Sequence, residues 1–503
     1  MLFLTACGIP PLRQADPGPP LPVAFQTYQQ DYTPALAAVV GGPGFVPPII
    51  IPTVQANNAA ANSYLAGLAD FYNDDKLLQL IEQALAGNLE LKMLNQEVEI
   101  ARNEVMTWRG SYLPFVNVGS RAGFFKSSYF TPEGAAEDQL LTPKGRHFPY
   151  LVGNFGGGFD IFWQLDIWRQ LRNARDAAIQ RFIAAQERRN TFVTRLVAEV
   201  AENYYHLMAL DQRIATLDQV IALQQQSYEF ARLNKETGRG TELPVQRFLA
   251  EVRKNQSFKQ LLQQEIIERE NRINFLLNRY PQPVERQSTR FYELDWPMLA
   301  VGIPPQLLQN RPDIRQAERE LLAAGLDVLV ARAKFFPTVA LTANVGYEAF
   351  NPRYLFNPEA LVLNLAGNLT APLINKLAIR AEYLTANAKQ LQSVYNYQRV
   401  VLNAFTEVVN YMVMVQQFGK SVEIRKQQLK ALEASVDIAT KLFQAARVEY
   451  IEVLFAQRDL LDARLELIET KMQQLSAIVN LYRALGGGDL LRLPYQPYWQ
   501  RTP

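Results

Sequence analysis

The sequence predicts a mainly α-helical chain that carries four amphipathic β-strands and is duplicated internally. Three observations lead to that class. No proline interrupts the chain from about Asp166 to Lys235 or from Asn375 to Gly486, so helices of about 70 residues, on the order of 100 Å at 1.5 Å per residue, can form. In "RAKFFPTVALTANVGY" (Arg332 to Tyr347) a charged, Ala- and Leu-rich helical run gives way after Pro337 to alternation, with Val339, Leu341, Ala343, Val345 and Tyr347 opposite Ala340, Thr342, Asn344 and Gly346. The same handover occurs at Pro114 in "SYLPFVNVGSRAGFF". Proline cannot donate the next helical hydrogen bond and disfavours helix for the residue before it, which places each helix-to-strand junction at one residue.

In chain order, residues 1–7 end in Leu4-Thr5-Ala6-Cys7, which resembles the lipobox of bacterial lipoproteins, where the cysteine is acylated and lipid takes the place of a spanning helix. Gly8 follows rather than Asp, as in lipoproteins sent to the outer membrane. Six residues before Cys7, none of them basic, are fewer than the roughly 15 to 30 of a secretory signal, so the start is read as truncated or misassigned. Residues 8–63, rich in Pro, Gly, Ala and Gln, read as an extended arm. A first repeat, 64–279, holds a helix with Leu77, Leu80, Ile81, Ala84 and Leu85 at helical spacing, strands at about 115–125 and 150–164, and a long helical hairpin over 166–279. An inter-repeat segment, 280–311, leads to a second repeat, 312–485, with strands at about 338–348 and 360–371 and a hairpin over 375–485; a tail, 486–503, follows. Breaks at "ETGRGTELP" (Glu236 to Pro244) and "ARVEYIEV" (Ala446 to Val453) turn the two long helices back.

The duplication rests on order more than on identity. Setting Pro114 on Pro337, an offset of 223, also places Glu97 on Glu320, Ala101 on Ala324, Arg109 on Arg332 and Val116 on Val339. Farther on, "LDIWRQLRNA" from Leu165 matches "PLINKLAIRA" from Pro372 at an offset of 207. Leu429, Leu432, Val436, Ala439 and Phe443, and then Leu461, Leu465, Ile468, Met472, Leu475, Val479 and Tyr482, alternate steps of three and four, the spacing of a left-handed coiled coil.

In the strands, Leu361, Leu363, Leu365, Gly367 and Leu369 oppose Val362, Asn364, Ala366, Asn368 and Thr370, and Phe155, Phe159, Ile161 and Trp163 oppose Asp160. A packed soluble sheet alternates too, but these runs are close to the roughly 9 to 11 residues that cross a bilayer at a tilt. No stretch reaches the about 18 apolar residues of a spanning helix. Four strands cannot close a barrel, and open edges in lipid cost several kcal/mol per unpaired backbone group. Chains must therefore pool strands: two give eight, a barrel filled by side chains, and three give twelve, wide enough for a lumen. Asn344, Gly346, Asn364 and Asn368 on the inner face suit a wet lumen, with the long heptad helices forming a tube beneath the barrel.

Composition removes other classes. The chain of 503 residues is 48% hydrophobic and 20% charged, so it folds, and its net charge of +2 supplies no field for nucleic acid. Cys7 as the only cysteine excludes an internal disulfide, and two histidines, His147 and His206, leave no metal or catalytic constellation, so no enzyme, cofactor or metal is expected. "GNFGGGF" and "GGGD" lack the Gly-Lys or dinucleotide pattern of a phosphate loop. Tyr129, Phe130, Phe148 and Tyr150 sit where an interfacial aromatic girdle would, or pack locally.

The words "GIPPQLLQNRPDIRQAERELLAA" (Gly302 to Ala324), "AKFFPTV" and "LYRALGGG" (Leu481 to Gly488) resemble the TolC-type outer-membrane efflux factors, in their NodT-like lipoprotein branch, and the likeness runs from about residue 64 to 490. It implies a homotrimer with a twelve-stranded barrel in outer-membrane lipid, a periplasmic coiled-coil barrel, and an equatorial belt from 280–311 and the C-terminus. It also implies a passive exit duct for drugs or other small molecules, docked through a periplasmic adaptor (membrane fusion protein) to an inner-membrane pump of the resistance-nodulation-division type. By the same resemblance the adaptor docks at the two hairpin tips, at Gly238, Gly240, Thr241 and Glu242 and at Ala446, Arg447 and Glu449. Glu452 stands where the family has its first constriction acid, while Phe455 replaces the second and Ala446 replaces a glycine. That implies one acidic ring from three copies of Glu452, which is equally readable as a solvated surface residue, leaves a double ring unsupported, and offers Phe455 as an apolar constriction instead. The competing reading is a trimeric coiled-coil structural or adhesive lipoprotein without a through-pore.

Overall fold

The structure is a computed structural model that describes residues 9–20, 22, 68–142, 145–294, 308–372, 376–445 and 447–487. Cys7, Ala446, most of the arm, the middle of the inter-repeat segment and the tail from 488 lie outside the described residues. Helices α1 (Leu68–Tyr72), α2 (Asp75–Gly87) and α3 (Leu89–Ser111) lead to strand β1 (Phe115–Phe125). Helix α4 (Pro132–Gln139) and strand β2 (Val152–Leu165) follow, then the hairpin of α5 (Gln170–Glu236) and α6 (Glu242–Leu276). The second repeat runs α7 (Pro312–Ala333), β3 (Thr338–Ala349), β4 (Leu361–Thr370), α8 (Lys376–Gln444) and α9 (Tyr450–Ala484).

Local chemistry sets the boundaries. The helix read from Leu77, Leu80, Ile81, Ala84 and Leu85 stops at Asn88, whose side chain accepts from the Leu91 amide at 2.9 Å and donates to the Leu276 carbonyl at 2.9 Å. The Asp74 carboxylate caps α2 through the amides of Lys76 and Leu77. Helix α5 starts four residues after Asp166, because that carboxylate takes the amides of Leu171 and Arg172 while Arg169 turns through a positive φ of 60°. Helix α4 lies in the connection between β1 and β2; Pro132 at its first position and the Thr131 hydroxyl, which accepts from the Gly134 amide, start it.

The chain divides into two compact units, and α3, α5, α7 and α8 contribute residues to both. The first unit contains the sheet, of order β1-β2-β3-β4 and antiparallel throughout. Pro114 and Pro337 sit immediately before β1 and β3. Two tryptophans from the end of β2 and the turn after it secure these corners: Trp163 Nε1 donates to the Tyr112 carbonyl at 3.1 Å, and Trp168 Nε1 donates to the Pro337 carbonyl at 2.8 Å while its ring stacks on Phe336. Arg181 on α5 pairs with Asp327 on α7, and Lys334, just past the end of α7, pairs with Glu382 on α8. The described part of the N-terminal arm straps this unit. Ile9 packs with Val328, Ala331 and Tyr383, and the buried Asn387 amide accepts from the Arg13 N–H at 2.9 Å and donates to the Arg13 carbonyl at 3.2 Å.

The second unit has its main core where α2 and the middle of α5 meet the end of α9. Tyr204, Tyr205, Leu207 and Met208 are almost wholly buried, and Phe71 stacks on Tyr482 at 3.9 Å. Of the heptad positions on α9, Leu461, Ile468, Met472, Leu475, Val479 and Tyr482 are buried and Leu465 is half-buried, whereas on α8 only Val436 is buried and Leu429, Leu432, Ala439 and Phe443 are half-buried. Two arginines tie non-helical segments to the helices. Arg286 bonds Asp211 through two nitrogens and Glu270 through a third contact. Arg311, 8% exposed, bonds Asp313, Glu407 on α8 and the Ala484 carbonyl that ends α9.

Replacing Arg311 by Met leaves Glu407 and the Ala484 carbonyl without their charged donor. With the two carboxylates part-exposed, the expected loss is about 2 kcal/mol, read as a lower denaturation midpoint in detergent. Asn387→Ala removes both bonds to the arm, and limited proteolysis should then cut within residues 9–20 faster than in the native protein, with the rest of the chain equally resistant.

Candidate functional site

The register sorts the sheet into two faces. Asn117, Gly119 and Arg121 of β1 align with Asp160, Gly158 and Gly156 of β2, and these with Asn344, Gly346 and Glu348 of β3. Asn364 and Val362 of β4 continue two of those rows. This face is polar or small over most of its length, with Phe115 and Phe162 at its helix end. The opposite face is apolar, and it is bare: Val118 is 77% exposed, Leu363 72% and Leu365 74%. β1 and β4 have no strand beyond them among the described residues. A sheet with a solvated apolar face and two free edges is incomplete in water and in lipid alike.

Glycines shape the polar face. A Cβ on Gly158 would lie 2.4 Å from the Val345 carbonyl oxygen, and one on Gly346 would lie 2.5 Å from that of Gly157, so β2 and β3 approach too closely there for any side chain. The result is a shallow trough of about 150 Å³, bordered by Arg121 and Glu348 on one side and by Asp160 and Asn344 on the other. Arg121 reaches over Gly156 to Glu348 (2.5 Å), and the Asn344 amide donates to Asp160 (2.5 Å).

The hairpin turns form the second candidate region. In the first turn Gly238 holds a positive φ of 71° and the Arg239 amide bonds the Asn234 carbonyl, closing the helix in the manner glycine favours. Gly240 has no such φ; Thr241 is the N-cap of α6 without a side-chain cap bond. Hydrogen bonds from Gln246 and Lys235 hold the Glu242 carboxyl below the usual carboxylate range, and its bond and charge push the Lys235 ammonium up. In the second turn the Arg447 amide bonds the Leu442 carbonyl across the same five-residue span, and Glu449 is the N-cap of α9. Glu452 and Phe455, one helical turn apart, are both exposed, while Val453 between them is buried. The Arg458 guanidinium sits over the Phe455 ring at 5.4 Å. Beside Glu449 and Glu452 lies a groove of about 660 Å³ floored by Ala431, Ala434, Ile438 and Val448.

The structure thus brings Arg447, Glu449, Glu452 and Phe455 to one turn and Gly238 to Glu242 to the other, and puts Pro114 and Pro337 at equivalent corners of one sheet. Sequence reasoning missed the Arg121–Glu348 pair, the Asp160–Asn344 bond and the two corner tryptophans. The charges on the polar side of the alternation were the available signal for the first two. Of the aromatics read as a girdle or as local packing, Tyr129 and Tyr150 lie under Lys126 and Phe148 packs edge-on to Phe350, while Phe130 is fully exposed. Among the described residues no cluster of metal-ligating side chains occurs, and no helix is long and apolar enough to cross a membrane.

Comparison with known proteins agrees with this geometry. The family model described as "Outer membrane efflux protein" matches residues 80–279 and 303–487. The chain is 28% identical over 434 residues to the cation efflux system protein CusC of Escherichia coli, covering 86% of this chain and 91% of the relative. It is 26% identical over 471 residues to the toluene efflux pump outer membrane protein TtgC of Pseudomonas putida, covering 92% of this chain and 91% of the relative. A crystal structure of CusC superposes with a TM-score of 0.75 at 25% identity, over 96% of this chain and 100% of that one. With both repeats matched by the family model, and both corners and both hairpins in place, the chain belongs to the outer membrane efflux protein family.

Proposed function

We propose that three copies of this chain close a twelve-stranded barrel in the outer membrane and act as the exit duct of a tripartite exporter. The observation that carries this reading is the sheet itself: four strands with one polar face, one bare apolar face and two free edges. Only further copies can satisfy both edges, and twelve strands leave a lumen where eight would be filled by side chains. The polar face then lines the pore and the apolar face meets lipid. The long helices α5, α6, α8 and α9 supply the periplasmic wall, and acylated Cys7 adds a lipid anchor.

The two hairpin turns are the docking tips for a periplasmic adaptor, which links the duct to an inner-membrane pump of the resistance-nodulation-division type. The groove beside Glu449 and Glu452, apolar on its floor and acidic at its rim, offers such a surface. Glu452 forms an acidic ring at the constriction and Phe455 an apolar one. The duct performs no catalysis; its energy comes from the pump. Its cargo is drugs or other small molecules, a breadth that fits relatives named for cation efflux and for toluene efflux.

Purified protein in planar bilayers should give discrete single-channel currents; an absence of conductance from a correctly folded oligomer would return the chain to a structural or adhesive role. Glu452→Gln should lower the cation preference of those channels, and unchanged selectivity and conductance would remove the acidic ring. Reversing charge at both tips, with Glu242→Arg and Arg447→Glu, should reduce the adaptor and pump recovered after mild crosslinking in cells, while the oligomer itself persists.

A further inference from the structure

The strands β1 to β4 contain three charged residues, Arg121, Asp160 and Glu348. All three fall on the polar face, where chance would scatter them over both. They are also ordered along it. Asp160 shares a row with Asn117, Asn344 and Asn364; the next row away from the helices is Gly119, Gly158, Gly346 and Val362; the row after that is Arg121, Gly156 and Glu348. Successive rows on one face are two residues, about 7 Å, apart. Asp160 and the Arg121–Glu348 pair are therefore separated by about 13 Å of nearly bare backbone.

The two charged rows differ in compensation. Gly156 stands between Arg121 and Glu348, and a Cβ there would come within 3.2 Å of Arg121 Nε, so the missing side chain makes room for the guanidinium to cross and neutralise the carboxylate. Asp160 has the Asn344 amide, a neutral donor, and no lysine or arginine in ion-pair contact among the described residues. An amide orients a carboxylate without cancelling its charge.

We propose that Asp160 and the Arg121–Glu348 pair form a charge-selecting belt in the membrane part of the duct, separate from the tip constriction. This rests on the reading that the polar face lines a pore. Three copies place three uncompensated carboxylates in an asparagine-lined ring, followed outward by a smooth glycine level and a neutral ring of ion pairs. The class of solute favoured is cationic. Arg121 limits that preference by holding Glu348 neutralised, so the belt is a weak filter rather than a trap, as an exit path requires.

The test is the reversal potential of single channels across a potassium chloride gradient, measured in dilute salt, where the screening length is about 30 Å at 0.01 M, and again near 1 M, where it falls to about 3 Å. Each variant is made both with native Glu452 and in a Glu452→Gln background, so the belt is read apart from the tip. In dilute salt Asp160→Asn should bring the cation-to-anion permeability ratio toward unity, and Arg121→Gln, which frees Glu348, should raise it. Both shifts should vanish near 1 M salt. Glu359→Gln, which removes the same charge from the exposed turn before β4, should leave the ratio unchanged. Opposite shifts from the two belt variants cannot arise from misfolding. Equal ratios for native, Asp160→Asn and Arg121→Gln channels in dilute salt would overturn the belt while leaving the duct intact; native protein that does not conduct at all would overturn the duct reading and the belt with it.

Discussion

The constraint on which everything else depends is the pair of free edges on a four-stranded amphipathic sheet. In water the apolar face is bare, and in hydrocarbon the outward N–H and C=O groups of β1 and β4 go unpaired at several kcal/mol each. Neither environment accepts one chain alone. Closure by other copies satisfies both requirements together, and it turns the polar face into the wall of a pore. The features around the sheet serve that closure. Pro114 and Pro337 begin two strands at equivalent corners, Trp163 and Trp168 bond the backbone carbonyls there, and the crowded glycines of β2 and β3 let the backbones approach.

Much of this was legible in the sequence because its signals are local. Period-two alternation, a proline, a 3-4 heptad and a glycine turn are each written within a few consecutive residues. The four strands and both corners therefore fell within two residues of their observed bounds, whereas the first hairpin runs from Gln170 to Leu276 against the expected 166–279 and α9 starts at Tyr450, inside the expected second break; of the heptad positions of α9 all but the half-buried Leu465 are buried. What was illegible depends on partners far along the chain. Asn88 breaks a helix by bonding Leu276, Trp168 holds a carbonyl at Pro337, and Asn387 clamps the backbone of Arg13. None leaves a periodic trace. Arg121 and Glu348 lie 227 residues apart, and only the register shows that a glycine between them lets them meet.

The two repeats share a plan and differ at their hairpin turns. The first tip closes on Gly238 with a positive φ; the second puts Glu449 and Glu452 beside an apolar groove and exposes Phe455. Membership in the outer membrane efflux protein family covers both repeats, so the divergence is variation on a common duct rather than a change of role. The chemistry carried by such a chain is that of a wall: position, charge and width.

The central claim is closure of β1 on β4 between copies, and cysteine crosslinking of those edges tests it most directly. Val118→Cys on β1 and Leu365→Cys on β4 lie at opposite edges of one sheet, with β2 and β3 between them, and the chain's one native cysteine is Cys7, whose sulfur is a thioether once acylated. With the chain that keeps Cys7 and carries neither new cysteine as the control, a short bifunctional thiol crosslinker applied to outer membranes should give covalent species of two and three chains and none larger. A product confined to single chains, or a ladder that stops at two or continues past three, would contradict the account.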